Sequence, residues 1–255
     1  MQILILAAGE GSRLRPHTLK RPKCLVPIAG KGLLDWQLEQ WQNSGIKREQ
    51  VCIVGGYKID QLTATGCEII ENAEYATTNM VSTLFCADRK LTNDTIISYG
   101  DIVFNRHAID AILTSEHAIS VIIDLDWAEY WEARFENPLS DAETLRMGER
   151  GQILEIGNKP KTISEIEGQY IGLIKANTQG LIAMRNLYRS ASDGRRLING
   201  KSAEKAYMTD LLQELISDGF PIHAAPIKGG WIEVDSVQDL ENPITLLRLK
   251  QISEF

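Results

Sequence analysis

The sequence predicts an α/β fold on a parallel sheet, and three observations carry that prediction. The chain opens with Gln2-Ile3-Leu4-Ile5-Leu6-Ala7-Ala8, an apolar run with the length of one buried strand. Strand and helix patterns then alternate, and that alternation builds parallel sheets with right-handed crossovers. Finally, Gly55-Gly56 and Gly100-Asp101 close two of the strands, and ligands of such sheets sit beyond the carboxyl ends of the strands.

In order, the first strand breaks at Gly9-Glu10-Gly11-Ser12-Arg13-Leu14-Arg15-Pro16, and the loop runs on through Thr18, Lys20, Arg21, Pro22 and Lys23 to Gly30. From Gly11 to Leu34 there is no acidic residue, while Arg13, Arg15, Lys20, Arg21, Lys23 and Lys31 are all present. The formal charge of the chain is −7, so with six cations in this loop the remainder sums to −13. A basic, glycine-bearing loop at a strand end suits a small polyanion, because glycine lets backbone N–H groups approach phosphate oxygens. Neither of two better-known phosphate loops fits. The dinucleotide fingerprint needs a third glycine or alanine where Leu14 stands, and the P-loop triplet Gly-Lys-Ser/Thr is absent from the loop. Lys23 is expected to face solvent and to pack little.

Residues 33–44 read as an amphipathic helix with Leu34, Leu38 and Trp41 on one face and Gly45 ending it. Strands follow at Val51–Val54, closed by Gly55-Gly56, and at Glu68–Ile70. A polar turn, Tyr75 to Asn79, leads into a helix reaching about Arg89. Thr78 and Asn79 fit helix capping as well as recognition of a base edge. Thr95–Tyr99 is a strand whose Gly100-Asp101 end fits an ordinary turn, or a carboxylate facing the crevice. Asn105 caps a helix to Leu113, and Ile119–Ile123 is the next strand.

Between Asp124 and Glu143 the acids Asp124, Asp126, Glu129, Glu132, Glu136, Asp141 and Glu143 face one base, Arg134. Trp127, Tyr130, Trp131 and Phe135 are interleaved at helical spacing. This fits a packed aromatic stripe with a solvated acidic side, or an aromatic and anionic pocket for an amine. Residues 142–157 alternate as a hairpin around Glu149-Arg150-Gly151, and Gln169–Lys175 is a strand in which Gly172 permits close approach of a ligand. Ser202 is expected to cap a helix bearing Tyr207, Met208, Leu211, Leu212, Leu215 and Ile216. Late strands follow at Ile222–Ala225 and Trp231–Val234, and Asn242-Pro243 opens a terminal helix.

A length of 255 residues and 44% hydrophobic content suit one domain with a substantial core. No apolar run approaches the about 20 residues of a membrane helix, and no basic region precedes the first strand as in a signal peptide. Cys24, Cys52, Cys67 and Cys86 lack metal-site spacing and are expected to be reduced, buried thiols of a cytoplasmic protein. The acidic balance argues against nucleic acid as a partner.

The string Gly9-x-Gly11-Ser12-Arg13-Leu14-x-Pro16-x-Thr18 with Pro22-Lys23 resembles the signature of the nucleotidyltransferases that build NDP-sugars and CDP-alcohols. Asn79 with Ser82 is similar to the cytosine-facing segment of bacterial phosphocholine-type cytidylyltransferases. Glu233-Val234-Asp235-Ser236-Val237-Gln238-Asp239 is similar to a metal-binding string of the same enzymes. The resemblance implies a mixed, mostly parallel, Rossmann-like sheet flanked by helices. It implies a single domain, with nucleotide-binding parts at about 1–123 and 220–240 and a small substrate lobe at about 124–176. It also implies attack by a phosphate or phosphonate oxygen on the α-phosphorus of CTP, expelling pyrophosphate, in an enzyme making cell-surface polysaccharide precursors. Lys23, Arg13 and Asp101 are then the catalytic candidates, with Asp101 and Asp235 holding Mg²⁺. The nucleotide candidates are Leu6, Ala7 and Ala8 at the strand end, Gly9, Glu10, Gly11, Ser12 and Arg13 in the loop, and Gly56, Thr78, Asn79, Ser82 and Gly100. Acceptor candidates are Asp124, Asp126, Trp127, Lys159 and Gly172. Asn158-Lys159-Pro160 is similar to the Glu-Lys-Pro motif of the sugar-nucleotide enzymes, but with Asn for the sugar-holding Glu. An amine-bearing acceptor is therefore favoured over a sugar 1-phosphate, with a non-catalytic nucleotide-binding regulator as the third reading. A membrane partner is not expected, and a homo-oligomer is compatible.

Overall fold

In the computed structural model, which describes residues 1–253, seven of the short apolar runs line up as one sheet. The strands are β1 (Gln2–Ala7), β2 (Val51–Gly55), β3 (Glu68–Glu71), β4 (Thr95–Tyr99), β5 (Ile119–Asp124), β6 (Gln169–Ala176) and β7 (His223–Ile227). Their spatial order is β7-β5-β6-β4-β1-β2-β3. Only β6 runs antiparallel to its neighbours, β4 and β5. The sheet is thus mixed and mostly parallel, as the resemblance implies.

Strand β1 lies at the middle of the parallel part, with Ile3 opposite both Val51 and Ile96. Its side chains alternate between two cores, because successive residues of a strand point to opposite faces. Ile3 and Ile5 enter the core beneath α1 (Leu33–Asn43), α3 (Arg106–Thr114), α4 (Trp127–Arg134) and α8 (Pro243–Ser253). Leu4 and Leu6 enter the other, beneath α2 (Met80–Cys86), α5 (Thr178–Ser192) and α6 (Met208–Ser217). Burial on both faces explains why these strands read as continuous apolar runs.

The local signals act as expected at several ends. Leu34, Leu38 and Trp41 are buried, and Gly45 follows α1 at φ 83°, a conformation that favours glycine. The Asn105 side chain accepts a hydrogen bond from the Ala108 N–H and caps α3. The hairpin pairs Leu145–Met147 with Ile153–Ile156. Four points differ. Helix α5 has no counterpart in the sequence reading, because its first turn carries Gly180, which packs where a Cβ would lie 2.2 Å from the Ala118 carbonyl oxygen. Helix α6 starts at Met208 rather than after Ser202, because the Asp210 carboxylate accepts from the Tyr207 N–H at 2.8 Å and caps it there. Trp231–Glu233 is extended but stands outside the main sheet, pairing with Ile102–Phe104. Cys24 and Cys52 are buried free thiols, whereas Cys86 is exposed. Among the described residues no helix is long and apolar enough to cross a membrane.

Candidate active site

Three chain segments converge beyond the carboxyl ends of β1 and β4. Gly100 turns the chain so tightly over β1 that a Cβ there would lie 3.0 Å from the Ala7 Cβ, and this brings Asp101 above the strand end. The ribbon Ile102–Phe104/Trp231–Glu233 returns the chain beside it, with the Val234 N–H donating to the Asp101 carbonyl at 3.1 Å. The glycine loop supplies the third segment. Leu14 is fully buried and anchors it, and the Thr18 hydroxyl donates to the Gly11 carbonyl at 2.9 Å. Gly11 sits at φ 64°, where a Cβ would approach the Lys23 Cβ to 2.8 Å, so this residue has to be glycine.

At the convergence, Lys23 Nζ donates to Asp101 Oδ2 at 2.6 Å and also to Asp235 Oδ1. Arg13 pairs with the other Asp235 oxygen at 3.1 Å. Burial alone would depress the Lys23 ammonium, but Asp101 and Asp235 outweigh it and hold the pKa above the ordinary value. Burial likewise opposes ionisation of Asp235, and Lys23 with Arg13 overcomes it, so this carboxyl titrates low. Lys23 is therefore a largely enclosed, paired cation, not the solvent-facing side chain expected. Burial pushes the neighbouring Cys24 thiol up to about 12, which leaves it unreactive.

Behind these groups stands a support that the sequence reading did not assign. The Arg134 side chain is fully buried; its Nε donates to Asp239 Oδ1 and its Nη1 to Glu233 Oε2, both at 2.9 Å. Asp239 Oδ2 accepts from the Asp235 and Ser236 N–H groups at 2.9 Å, which fixes the backbone that carries Asp235. Desolvation, then Asp235, raises the Glu233 carboxyl to about 8 against the pull of Arg134. Glu233 and Asp235 are two residues apart on extended chain, so they share one face; that spacing was the available signal.

Asp101, Glu233 and Asp235 each offer a carboxylate oxygen within 4.8 Å of the others. Asp101 Oδ1 is buried and has no hydrogen-bond partner among the described residues. An orphaned buried oxygen beside two more carboxylates is a donor set that fits a hard divalent cation such as Mg²⁺.

A cleft of about 370 Å³ opens on one side of the cluster. Of the nucleotide candidates, Leu6, Ala7, Ala8, Gly9, Gly11, Ser12 and Arg13 line its loop side, and Thr78, Asn79 and Gly100 line it elsewhere, together with Asp101. Glu10, Gly56 and Ser82 do not line it. Glu10 turns outward to Arg15 at 3.2 Å. Gly56 lies behind Tyr75, whose Cβ is 2.5 Å from where a Gly56 Cβ would be, so Tyr75 forms the wall. The Ser82 hydroxyl is buried and donates to the Ala203 carbonyl at 3.2 Å. The Asn79 amide nitrogen is held by the Lys205 carbonyl at 2.8 Å. Of the remaining loop cations, Lys31 pairs with Glu39, and Lys20 with Arg21 lines a separate shallow hollow.

A second hollow of about 190 Å³ adjoins the first, with Met80, Tyr99, Tyr207, Glu233 and Asp235 lining both. Gly172, one of the acceptor candidates, lines it at φ 88°, with Tyr99 packed where its side chain would be. The other acceptor candidates are corrected. Asp124 is fully buried and structural, accepting from Trp231 Nε1 and the Gly229 N–H, each at 2.8 Å. Asp126 is exposed ahead of α4 and lines neither hollow. Trp127 is buried in the core, edge-on to Trp131 with centroids 6.0 Å apart. Lys159 donates to the Leu139 and Ser140 carbonyls, the latter at 2.7 Å. The hollow is lined instead by Trp131, Asp141, Glu143 and Tyr170, which come from the same stretch and from β6.

Comparison with known proteins agrees with this geometry. The family model for the MobA-like NTP transferase domain matches residues 3–139. CTP:phosphoglutamine cytidylyltransferase of Campylobacter jejuni is 39% identical over 252 residues, covering 94% of this chain and 98% of that protein. Two solved structures share the fold. CTP:phosphocholine cytidylyltransferase from Streptococcus pneumoniae has a TM-score of 0.72 at 19% identity, over 96% of this chain and 98% of its own. The inositol-1-phosphate CTP transferase from T. maritima has a TM-score of 0.75 at 19% identity, over 99% and 96%. The family model spans more than half of the chain, and the chain is a nucleotidyltransferase of the MobA-like NTP transferase family.

Proposed function

We propose that the chain transfers CMP from CTP to the phosphate or phosphonate oxygen of a small, amine-bearing acceptor and releases pyrophosphate. The observation that carries this reading is the Lys23–Asp101–Asp235 cluster, with Arg13, at the junction of two adjoining hollows. The near full-length similarity to a cytidylyltransferase supports CTP as the donor. The larger hollow takes the nucleotide and the smaller one the acceptor. Residues about 1–123 and 220–240 then supply most of the nucleotide side, and about 124–176 most of the acceptor side.

The attacking oxygen is already an anion, so no general base is needed. It bonds to the α-phosphorus while the bond from that phosphorus to the α–β bridging oxygen breaks, and pyrophosphate leaves with the electron pair. What the protein must supply is positive charge between two anions and groups held in line. Lys23 shifts from its carboxylates to the α-phosphate and the incoming oxygen, while Arg13 and the Gly9–Ser12 amides hold the β- and γ-phosphates. Asp101 and Asp235, with Glu233 beside them, would hold Mg²⁺, which when bound stabilises the charge on the pentavalent phosphorus. Arg134 and Asp239 keep those carboxylates in place through the contacts described above.

A sugar 1-phosphate is the weaker acceptor. Asn158 stands where the sugar-nucleotide enzymes carry glutamate, and its amide donates to Glu155 at 3.1 Å inside the hairpin instead of lining the hollow. With free, unpaired thiols, we assign the protein to the cytoplasm. The test is pyrophosphate release from four NTPs against a panel of amine-bearing phosphates, phosphonates and glucose 1-phosphate. CTP with an amine-bearing acceptor should exceed every glucose 1-phosphate pairing by about tenfold in kcat/KM, one decade being about 1.4 kcal/mol of transition-state stabilisation. A better rate with glucose 1-phosphate overturns the acceptor, and a better rate with another NTP overturns the donor.

A further inference from the structure

The second hollow holds one acid that nothing in the protein satisfies. Glu143 lines it, and among the described residues its carboxylate has no hydrogen bond and no ion pair. Its backbone is fixed by a two-way clasp, the Glu143 N–H donating to Gln169 Oε1 at 3.2 Å and Gln169 Nε2 donating to the Glu143 carbonyl at 2.6 Å. The cations nearest in charge are committed elsewhere. Lys201 Nζ donates to both Asp210 oxygens, at 2.8 and 2.7 Å, and Lys159 donates to two carbonyls.

Asp141 lies on the same wall, oriented by Trp131 Nε1 donating to its Oδ2 at 3.2 Å. Glu233 and Asp235 close the hollow toward the cluster, and among the described residues no lysine, arginine or histidine lines it. The Tyr170 hydroxyl is buried there, with no hydrogen-bond partner among the described residues. A carboxylate that faces a hollow lined by other acids, on a fixed backbone and with no donor from the protein, is placed to pair with what enters. What arrives must carry positive charge, and it must also donate hydrogen bonds, because an ionised carboxylate only accepts.

We propose that the Glu143 carboxylate, with Asp141 beside it, receives an N–H-bearing ammonium group of the acceptor, and so selects primary ammonium phosphates over quaternary and neutral ones. The proposal rests on assigning the second hollow to the acceptor. A quaternary ammonium would match the charge but offer no N–H. A neutral chain end would match neither. Glu143 is a specificity residue here and takes no part in the bond exchange.

The test uses CTP with phosphoethanolamine, phosphocholine and ethyl phosphate, three acceptors that differ only at the far end. Wild type should favour phosphoethanolamine over both others by about tenfold or more in kcat/KM, from charge-assisted hydrogen bonds. Glu143→Gln should raise the phosphoethanolamine KM about tenfold to a hundredfold and leave kcat, the CTP KM and ethyl phosphate turnover near wild type. Glu143→Asp should keep part of the preference. Equal use of phosphoethanolamine and ethyl phosphate by wild type overturns the proposal. So does a Glu143→Gln loss that is the same for all three acceptors, which marks a merely structural residue. Phosphocholine outrunning phosphoethanolamine overturns the N–H requirement. If CTP binds but none of the three acceptors binds or reacts, the proposal is rejected while the nucleotide half of the reading stands. If CTP itself does not bind, the assigned function fails, and the proposal with it.

Discussion

The proposed mechanism gives Lys23 two roles that pull on the same ammonium. In the protein alone it neutralises Asp101 and Asp235; in the mechanism proposed above it also neutralises phosphates. Lys23→Ala is expected to lower kcat by about two to three decades, the loss typical of one preorganised charge-stabilising group. It should also destabilise the fold, by up to about 3–5 kcal/mol, because two carboxylates then face each other without their common cation. Steady-state turnover and denaturant melts separate the two effects. Near-normal turnover in a folded variant would remove Lys23 from the mechanism. Glu143 gives a second prediction at this scale. Burial, then Asp141 and Asp210, raises its carboxyl to about 7 against the opposing pull of Lys201 and Lys159. A carboxyl whose folded pKa lies above its unfolded value binds more protons in the folded state, so stability falls as pH rises from about 4.5 to about 7. Glu143→Gln should therefore raise Tm at pH 8, by about 2–4 °C for each kcal/mol recovered in a chain of this size, and change it little at pH 4. A Tm difference that does not vary with pH would show that Glu143 is not strained in this way.

Helix α4 decides between the two roles its spacing allowed, a packed aromatic stripe and an amine pocket. The aromatic spacing from Trp127 to Phe135 is helical, and the helix forms at Trp127–Arg134. A stripe at that spacing must bury against something, and here Trp127, Tyr130 and Trp131 pack into the core with Trp231. The acids that this stretch gives to the hollow come after the helix has ended, at Asp141 and Glu143. Trp127→Ala is accordingly expected to cost about 3–5 kcal/mol of stability, as for other large-to-small core changes, and to leave the acceptor KM unchanged. Denaturant melts and acceptor kinetics check this. A raised acceptor KM with unchanged stability would return Trp127 to the pocket. Arg134, the lone base of this acidic stretch, is equally misleading by composition. It looks like a solvated counter-charge, yet it is buried and ties α4 to Glu233 and to Asp239 in α7 (Val237–Glu241).

At the scale of the whole molecule, cation binding should register as stability. A ligand that binds the folded state alone stabilises it by RT ln(1 + [L]/Kd), about 2.7 kcal/mol at a hundred times Kd. Titrating Mg²⁺ into the protein with CTP should therefore raise Tm, and Asp101→Asn or Asp235→Asn should each weaken that rise and increase the Mg²⁺ half-saturation of turnover. An unchanged half-saturation in Asp235→Asn would leave Asp235 as a partner of Lys23 and Arg13 only. The carboxylates meet only because the sheet and its side ribbon place the end of β4 next to the chain after Glu233. Residues 101 and 235 are distant in sequence, and no local pattern links them.

The sequence by itself determined what is local. Apolar runs of strand length, alternation with amphipathic segments, capping residues and the acid-free glycine loop are set by near neighbours, and they were sufficient for the sheet, most helices and the glycine-loop side of the cleft. The similarity of Gly9–Lys23 to a known signature extended this to the reaction type. Only the tertiary structure decided which side chains face which space. It turned Glu10 outward and Ser82 inward, sank Asp124 and Trp127 into structural roles, and brought Arg134 under Glu233. It also left Glu143 without a donor, which depends on where Lys159 and Lys201 spend their protons. The physical reason is common to all of these. Element formation depends on spacing along the chain, whereas the orientation of a polar side chain depends on which distant partner satisfies it once water is excluded.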